Sequence, residues 1–240
     1  MNQLVSGMIV LVAGANGGIG SGITRRFAEL GAEVIAHTTG AEVDGVETLT
    51  GDLTDEQVCH DLVRQAAEWK GRLDAVVNSA GIQPVQSLDG MTAAQWREVV
   101  DTNLTLAFNC TQAAVNVMRH SGGGSITHIA SIEGSRPAAG HGHYNAAKAA
   151  LIMHARSAAL EYGKLGIRVN TVSPGLVERP GIAEQWPEGV SRWEKSAPLG
   201  RLGTREDIGE ACVFLASPMA SWITGHDLVV DGGMSTNQGW

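Results

Sequence analysis

Cysteine is scarce and odd in number: Cys59, Cys110 and Cys212 lie far apart, and none has a metal-ligand spacing around it. A disulfide frame is therefore not what holds this chain together, and the three read as reduced thiols of a cytoplasmic protein. Positive charge is also short, with 17 Lys and Arg against 25 Asp and Glu and a net charge of −8. No basic tract offsets this balance, which argues against nucleic acid or an anionic membrane as partner. Nor is there a long apolar run. The stretch after Gly7 is short and has no basic segment before it, so it reads as a strand and not as a signal peptide or membrane span. Proline is sparse at 7 residues, and no proline- or serine-rich linker or internal repeat divides the 240 residues. A chain of this length buries a sizeable core, and 1–240 reads as one domain.

Glycine, by contrast, is abundant at 31 residues, spread along the chain as many tight strand–helix turns require. Apolar runs of strand length at 8–13, 33–37, 47–50, 73–78, 125–130, 167–173 and 227–230 alternate with helical patterns. The helices fall at 19–30, 55–69, 93–119, 144–162 and 205–215. Strands apolar on both faces, alternating with helices, predict a doubly wound α/β fold: a seven-stranded, mainly parallel sheet covered by helices on both faces. The connection 38–46 holds Gly40 and Gly45 and has little room for a full helix.

Two motifs carry chemistry. The first strand runs into Ala13-Gly14-Ala15-Asn16-Gly17-Gly18-Ile19-Gly20 at the start of a helix. Glycines there let the backbone turn sharply and let a pyrophosphate approach the helix N-terminus. Their spacing is G-x-x-x-G-x-G and not the G-x-G-x-x-G of the common dinucleotide fingerprint. The second motif is Tyr144 and Lys148, one helical turn apart in a chain with two tyrosines. A phenol titrates near ~10 and is a poor base at neutral pH. A cation ~4 Å away at an effective dielectric near ~20 is worth about 4 kcal/mol, enough against desolvation to lower the phenol by a unit or more. Beside the Ser131 hydroxyl, such a phenol is equipped to move a proton on or off a substrate oxygen. His141, His143 and His154 invite a metal reading, but a zinc site needs convergent geometry and an open position. The first two fall in the segment already assigned to proton chemistry, and no metal is expected.

Together with Asn78-Ser79-Ala80-Gly81, Asn103, Pro174-Gly175 and Asp231-Gly232-Gly233, these motifs stand in the order and spacing of the short-chain dehydrogenase/reductase family. The chain resembles that family from Gly7 to Gly233. The resemblance implies a Rossmann fold and a set of roles. Tyr144 would be the acid/base, Lys148 would hold the nicotinamide ribose and depress the tyrosine, and Ser131 would hydrogen-bond the substrate oxygen. Asn103 would hold a water linking Lys148 to solvent. Cofactor contacts would come from Gly14, Asn16, Gly18, Ile19 and Gly20, from Thr38 at the second strand, and from Asp52 and Leu53 at the adenine. Asn78, Ala80 and Gly81 would line the adenosine side, and Pro174, Gly175 and Val177 would follow the sixth strand, with Tyr144 and Lys148 completing the set. Asp52 would alternatively cap the helix near Asp55, Asn103 would satisfy a kink in its helix, and Asp231-Gly232-Gly233 looks architectural. The resemblance also implies a homotetramer. One interface would use the helices 93–119 and 144–162, with the small face Ala146, Ala147, Ala149 and Ala150, and another the helix after Arg205 and the last strand.

In dinucleotide folds an acid at the end of the second strand binds the ribose 2′-hydroxyl and repels a 2′-phosphate. Here that position falls near Thr38 and holds no acid, so NADP(H) is favoured over NAD(H), with His37 assisting if it faces the site. Residues 176–198 read as a mobile lid over a small-molecule substrate, with Trp186 and Trp193 on one helical face either anchoring it or, in one of the two, contacting substrate. Arg179 stands where relatives commonly carry a Thr that helps bind the nicotinamide amide. It would bind pyrophosphate or an acidic substrate, or face solvent with Glu178. The expected reaction interconverts a ketone and a secondary alcohol. A 3-oxoacyl-acyl-carrier-protein reductase and a sugar or cyclic diol dehydrogenase remain open, and so does a nucleotide-binding protein without turnover. Retention of Asn103, Ser131, Tyr144 and Lys148 speaks against the last. The close Tyr144–Lys148 spacing speaks against enoyl reductases, which space the pair more widely.

Overall fold

The computed structural model describes residues 4–237. Its strands are β1 (Ile9–Ala13), β2 (Glu33–Thr38), β3 (Glu47–Thr50), β4 (Ala75–Asn78), β5 (Gly124–Ile129), β6 (Ile167–Pro174) and β7 (Asp227–Val230). They form one sheet in the order β3-β2-β1-β4-β5-β6-β7, with every pairing parallel. The helices are α1 (Gly18–Glu29), α2 (Glu56–Lys70), α3 (Ala93–Val100), α4 (Leu106–Met118), α5 (Gly142–Tyr162), α6 (Ile182–Gln185), α7 (Pro187–Ser196) and α8 (Arg205–Ala216).

Parallel strands need crossovers that bury both faces of the sheet, which is why β1 is apolar throughout and β4 is apolar up to Asn78 at its end. One apolar layer joins the sheet to α2, α4 and α5 through Leu11, Leu62, Cys110 and Ala155. The other joins it to α1 and α8 through Val10, Ile23, Phe27 and Ile208. The link from β2 to β3 contains no helix, as its two glycines predicted. The order reverses between β1 and β4, and a crevice at the carboxyl ends of the strands is where such sheets bind ligands.

The single helix expected over 93–119 is interrupted. A π-helical turn, Asp101–Thr105, separates α3 from α4. The lid segment, expected as mobile loop, contains α6 and α7. Among the described residues no helix is long and apolar enough to cross a membrane.

Candidate active site

Gly14, Asn78, Ser131 and Gly175 all lie at or just beyond the carboxyl ends of their strands. At Gly14 the chain turns with φ +74°, and a Cβ there would come within 2.7 Å of the Ala80 nitrogen. Only glycine lets this turn pack on the Asn78–Gly81 turn. A Cβ on Gly20 would lie 2.0 Å from the Gly14 carbonyl oxygen, whereas one on Gly18 would meet nothing within 4 Å. Gly17 caps α1 without a side-chain hydrogen bond, and the first turn holds no acid. The leading N–H groups and the positive end of the helix dipole are thus left for an anion. Ile19 packs partly into the apolar layer under α1, and Asn16 is exposed.

Two cofactor expectations change. His37 is buried, receives the Gly14 N–H on Nδ1 at 3.4 Å, and donates from Nε2 to the Gly51 carbonyl at 2.9 Å. Burial lowers its pKa, with the Gly51 carbonyl opposing. One nitrogen braces the glycine turn and the other the chain after β3, so His37 does not face a ribose phosphate. The Thr38 hydroxyl likewise turns inward, donating to Ala41 O at 3.0 Å and accepting from Gly40 N at 3.2 Å. Asp52 does not cap α2, because Asp55 does so by accepting the Val58 N–H. Asp52 instead accepts the Thr54 hydroxyl and N–H at 2.7 and 2.9 Å, which hold it below the usual carboxylate range. Leu53 is buried, and its carbonyl accepts from Asn109 Nδ2 at 3.1 Å. Asn109 was not singled out from the sequence, where nothing local links it to Leu53 and Thr54.

Ser131 follows β5 and accepts the Glu133 N–H at 3.1 Å, which leaves its hydroxyl proton free to donate. It faces the Tyr144 phenol on the first turn of α5 and favours the ionised form of that phenol. One turn on, the Lys148 Nζ lies 5.4 Å from the Tyr144 ring centroid and donates to Ile129 O at 2.8 Å. Burial lowers Lys148 to about 8. The expectation of a depressed phenol is not met in the protein alone. Burial pushes Tyr144 upward, the Ser131 hydrogen bond opposes this, and the Glu133 charge adds to it. An ammonium that is itself desolvated and turned to a carbonyl does not offset the burial of the phenol.

Asn103 sits on the π turn, where Nδ2 donates to Val99 O and Ile82 O, each at 2.9 Å. Both readings of this residue therefore apply: it satisfies the kink, and its Oδ1 is buried without a hydrogen-bond partner. A Cβ on Gly81 would lie 2.5 Å from that oxygen and 3.6 Å from the Lys148 Nζ. The missing side chain at Gly81 lets amide and ammonium converge. Asn78, ending β4, also has a buried Oδ1 with no partner. The opened first turn of α1 and these two orphaned oxygens suit a dinucleotide.

On the substrate side, Glu133 accepts Gln83 Nε2 at 2.9 Å and His141 Nδ1 at 2.8 Å. The His141 ring stands edge-on to Tyr144, with centroids 6.2 Å apart. Gln83 was missed, since nothing local links it to Glu133. His143 accepts the Tyr144 N–H and His154 pairs with the Thr111 hydroxyl, so the three histidines turn to separate partners. Among the described residues no group of three or more His, Cys, Asp or Glu could hold a metal. The tryptophans also separate. Trp193 is buried with Ile132, Ala197 and Met234, whereas Trp186 precedes α7, exposed beneath Arg192. Of the two tryptophans, Trp193 is the one that anchors the segment. Arg179 is exposed and bonds Gln185 Oε1 at 2.8 Å, not Glu178. Val177 bridges to Gly203, and Gly175, next to Pro174, donates its N–H to Val230 O at 3.0 Å. Asp231 accepts Gly233 N and Ser235 N, the architectural role expected of it.

Fold and site together define a nicotinamide-dependent oxidoreductase. Residues 13–235 match the family model described as Enoyl-(Acyl carrier protein) reductase. The chain is 36% identical to a 3-oxoacyl-[acyl-carrier-protein] reductase of Chlamydia muridarum, over 98% of this chain and 100% of that protein. It is 34% identical to a 2,5-dichloro-2,5-cyclohexadiene-1,4-diol dehydrogenase of Sphingobium indicum, over 98% and 99%. The ligand-free aldohexose dehydrogenase of Thermoplasma acidophilum superposes with a TM-score of 0.93 at 29% identity, over 98% of this chain and 97% of that one. The chain belongs to the short-chain dehydrogenase/reductase family.

Proposed function

We propose that the protein interconverts a ketone and a secondary alcohol at the point where Tyr144, Ser131 and Lys148 meet beyond β5. That convergence is the observation that carries the reading. The nicotinamide cofactor, when bound, supplies the hydride acceptor or donor. The chain's own residues do the rest. In reduction Tyr144 gives its proton to the carbonyl oxygen, and Ser131, whose oxygen accepts the Glu133 N–H, donates its hydroxyl proton in a hydrogen bond to the same oxygen. In oxidation the phenolate takes the alcohol proton. The Lys148 ammonium has two N–H groups beyond the one given to Ile129, and these suit ribose hydroxyls. Ribose binding would draw it toward the phenol, which supports lowering Tyr144 in the complex. Asn103 Oδ1 is positioned to hold the relay to solvent.

Gly14, Asn16, Gly18, Ile19 and Gly20 would hold the pyrophosphate, and Asp52, Leu53, Asn78, Ala80 and Gly81 the adenosine. NADP(H) is the form we favour, because no carboxylate ends β2 to repel a 2′-phosphate. Thr39 and Gly40, exposed at that edge, are better candidates for contact than the inward hydroxyl of Thr38. The whole chain would act as one domain, with residues 176–198 closing over the substrate from their Trp193 anchor. The substrate is a small molecule, and the reduced, buried cysteines suit the cytoplasm.

Tyr144→Phe is expected to lower kcat by about 10²- to 10⁴-fold, the span of general acid–base catalysis, with the fold and cofactor affinity retained. Near-parental turnover would sink the mechanism. Initial rates with both cofactors decide the second point, since a higher kcat/KM with NAD(H) overturns the NADP(H) preference.

A further inference from the structure

Glu133 pairs with Gln83 and His141 beside the phenol, and apart from the charge it sets against Tyr144 the pairing takes no step in the proton chemistry above. Glu133 and His141 are mostly buried, with side-chain exposures of 11% and 16%. Burying a carboxylate costs free energy unless its oxygens are bonded, and here one oxygen takes Gln83 and the other takes His141. Because a carboxylate only accepts, His141 Nδ1 carries the proton of that bond. Its Nε2 has no hydrogen-bond partner among the described residues. The ring is nonetheless edge-on to Tyr144 at 6.2 Å. Rings at this separation are in edge contact, which sets the imidazole directly beside the phenol.

The residues on either side of His141 pack on apolar side chains, which wall this loop. Gly140 and Gly142 approach Val85 and Leu88 so closely that added Cβ atoms would lie 3.2 and 2.6 Å from those side chains. Val85 and Leu88 are 79% and 64% exposed. The Gln86 N–H bonds the Gly140 carbonyl at 2.7 Å, tying the two loops into one frame. Arg136, the nearby cation on the same loop, is committed to the Asn237 carbonyl and does not neutralise Glu133.

We propose that Glu133 and His141 form a specificity subsite that hydrogen-bonds a second hydroxyl on the carbon next to the reacting one. The preferred substrate is then a neutral ring-shaped vicinal diol, or the matching hydroxyketone. This rests on the hydride-transfer reading and narrows it. A long acyl thioester has no adjacent hydroxyl to offer the His141 Nε2 and would forgo that bond. An anionic substrate would meet the Glu133 charge. An apolar ring with adjacent hydroxyls satisfies both the walls and the His141 Nε2.

The test compares kcat/KM for cyclohexane-1,2-diol, cis and trans assayed separately, with that for cyclohexanol, using the full-length protein. Sites built to bond a substrate hydroxyl reject analogues lacking it by factors of up to about 10⁵, and for one partly solvated subsite the expected preference for one diol isomer is at least about 100-fold. Glu133→Gln keeps the Gln83 contact but removes the charge, and His141→Phe keeps the ring but removes both nitrogens. Each is expected to shrink the diol-to-monol ratio at least tenfold, while fluorescence titration gives an unchanged Kd for reduced cofactor. A wild-type ratio near one, with Tyr144-dependent turnover of cyclohexanol, overturns the subsite and leaves the hydride-transfer reading standing. An undiminished ratio in both variants overturns the assignment to these residues. Absence of cofactor-dependent turnover of every alcohol and ketone offered overturns both.

Discussion

Lys148 is held in a position that its own ionisation opposes. The folded ammonium releases its proton near pH 8, while an unfolded lysine keeps it to 10.5. Between those values the unfolded chain binds more protons, so stability rises as pH climbs from 8 to 10.5. Below 8 the fold carries the full penalty, about 3 kcal/mol by linkage. Lys148→Met is therefore expected to abolish turnover yet stabilise the fold at pH 7 by about 1–2 kcal/mol, the remainder being lost with the Ile129 hydrogen bond. Urea denaturation at pH 7 and pH 10 checks this, since the gain should shrink toward zero at the higher pH. The Tyr144–Lys148 spacing was legible in the sequence, because a helical turn sets it. The direction of the tyrosine's shift was not, because it depends on how much protein from β5 and the loop at Ser131 covers the ring.

At the scale of elements, the π turn in the middle of the expected long helix has a local cause. Thr102 Oγ1 donates to Glu98 O and Asn103 Nδ2 to Val99 O, so two side chains insert into the hydrogen-bond ladder. The run Asp101-Thr102-Asn103, poor in helix formers, was a usable signal. The packing of β5 on α4 and α5 was less legible. His128 on β5 is fully buried, and the Thr111 hydroxyl, which donates to Ala107 O, accepts from His128 and His154. Burial, then His154 and Lys148, lowers His128 to about 3. The unfolded histidine takes up a proton near 6.5, so stability contributed by the neutral ring is present above pH 6.5 and lost as pH falls toward 3. At pH 5 His128 alone accounts for about 2 kcal/mol. Denaturation at pH 7 and pH 5 should show that loss in the parent and a smaller one in His128→Gln.

Across the whole molecule, some of the exposed apolar side chains lie on the two surfaces that the family resemblance marks for assembly. Phe108, Met153 and Leu160 lie on α4 and α5, and Met219, Trp222 and Val229 near α8 and β7. Patches of this kind mark interfaces. We expect a homotetramer, and Phe108→Glu with Leu160→Glu should yield dimers held by the second surface. Light scattering on a sizing column reads the outcome, and an unchanged mass overturns the use of α4 and α5. By itself the sequence determined the alternation of strands and helices, the glycine turn after β1 and the one-turn spacing of Tyr144 and Lys148. Periodicity and turn chemistry are properties of neighbouring residues, so they are written locally. Only the tertiary structure decided which polar groups are already satisfied. His37 braces Gly14 and Gly51, Thr38 turns to Ala41, and Glu133 finds Gln83 across 50 residues of chain. Desolvation and hydrogen-bond partnership depend on distant strands brought to one edge of the sheet, and spacing within a single element does not encode them.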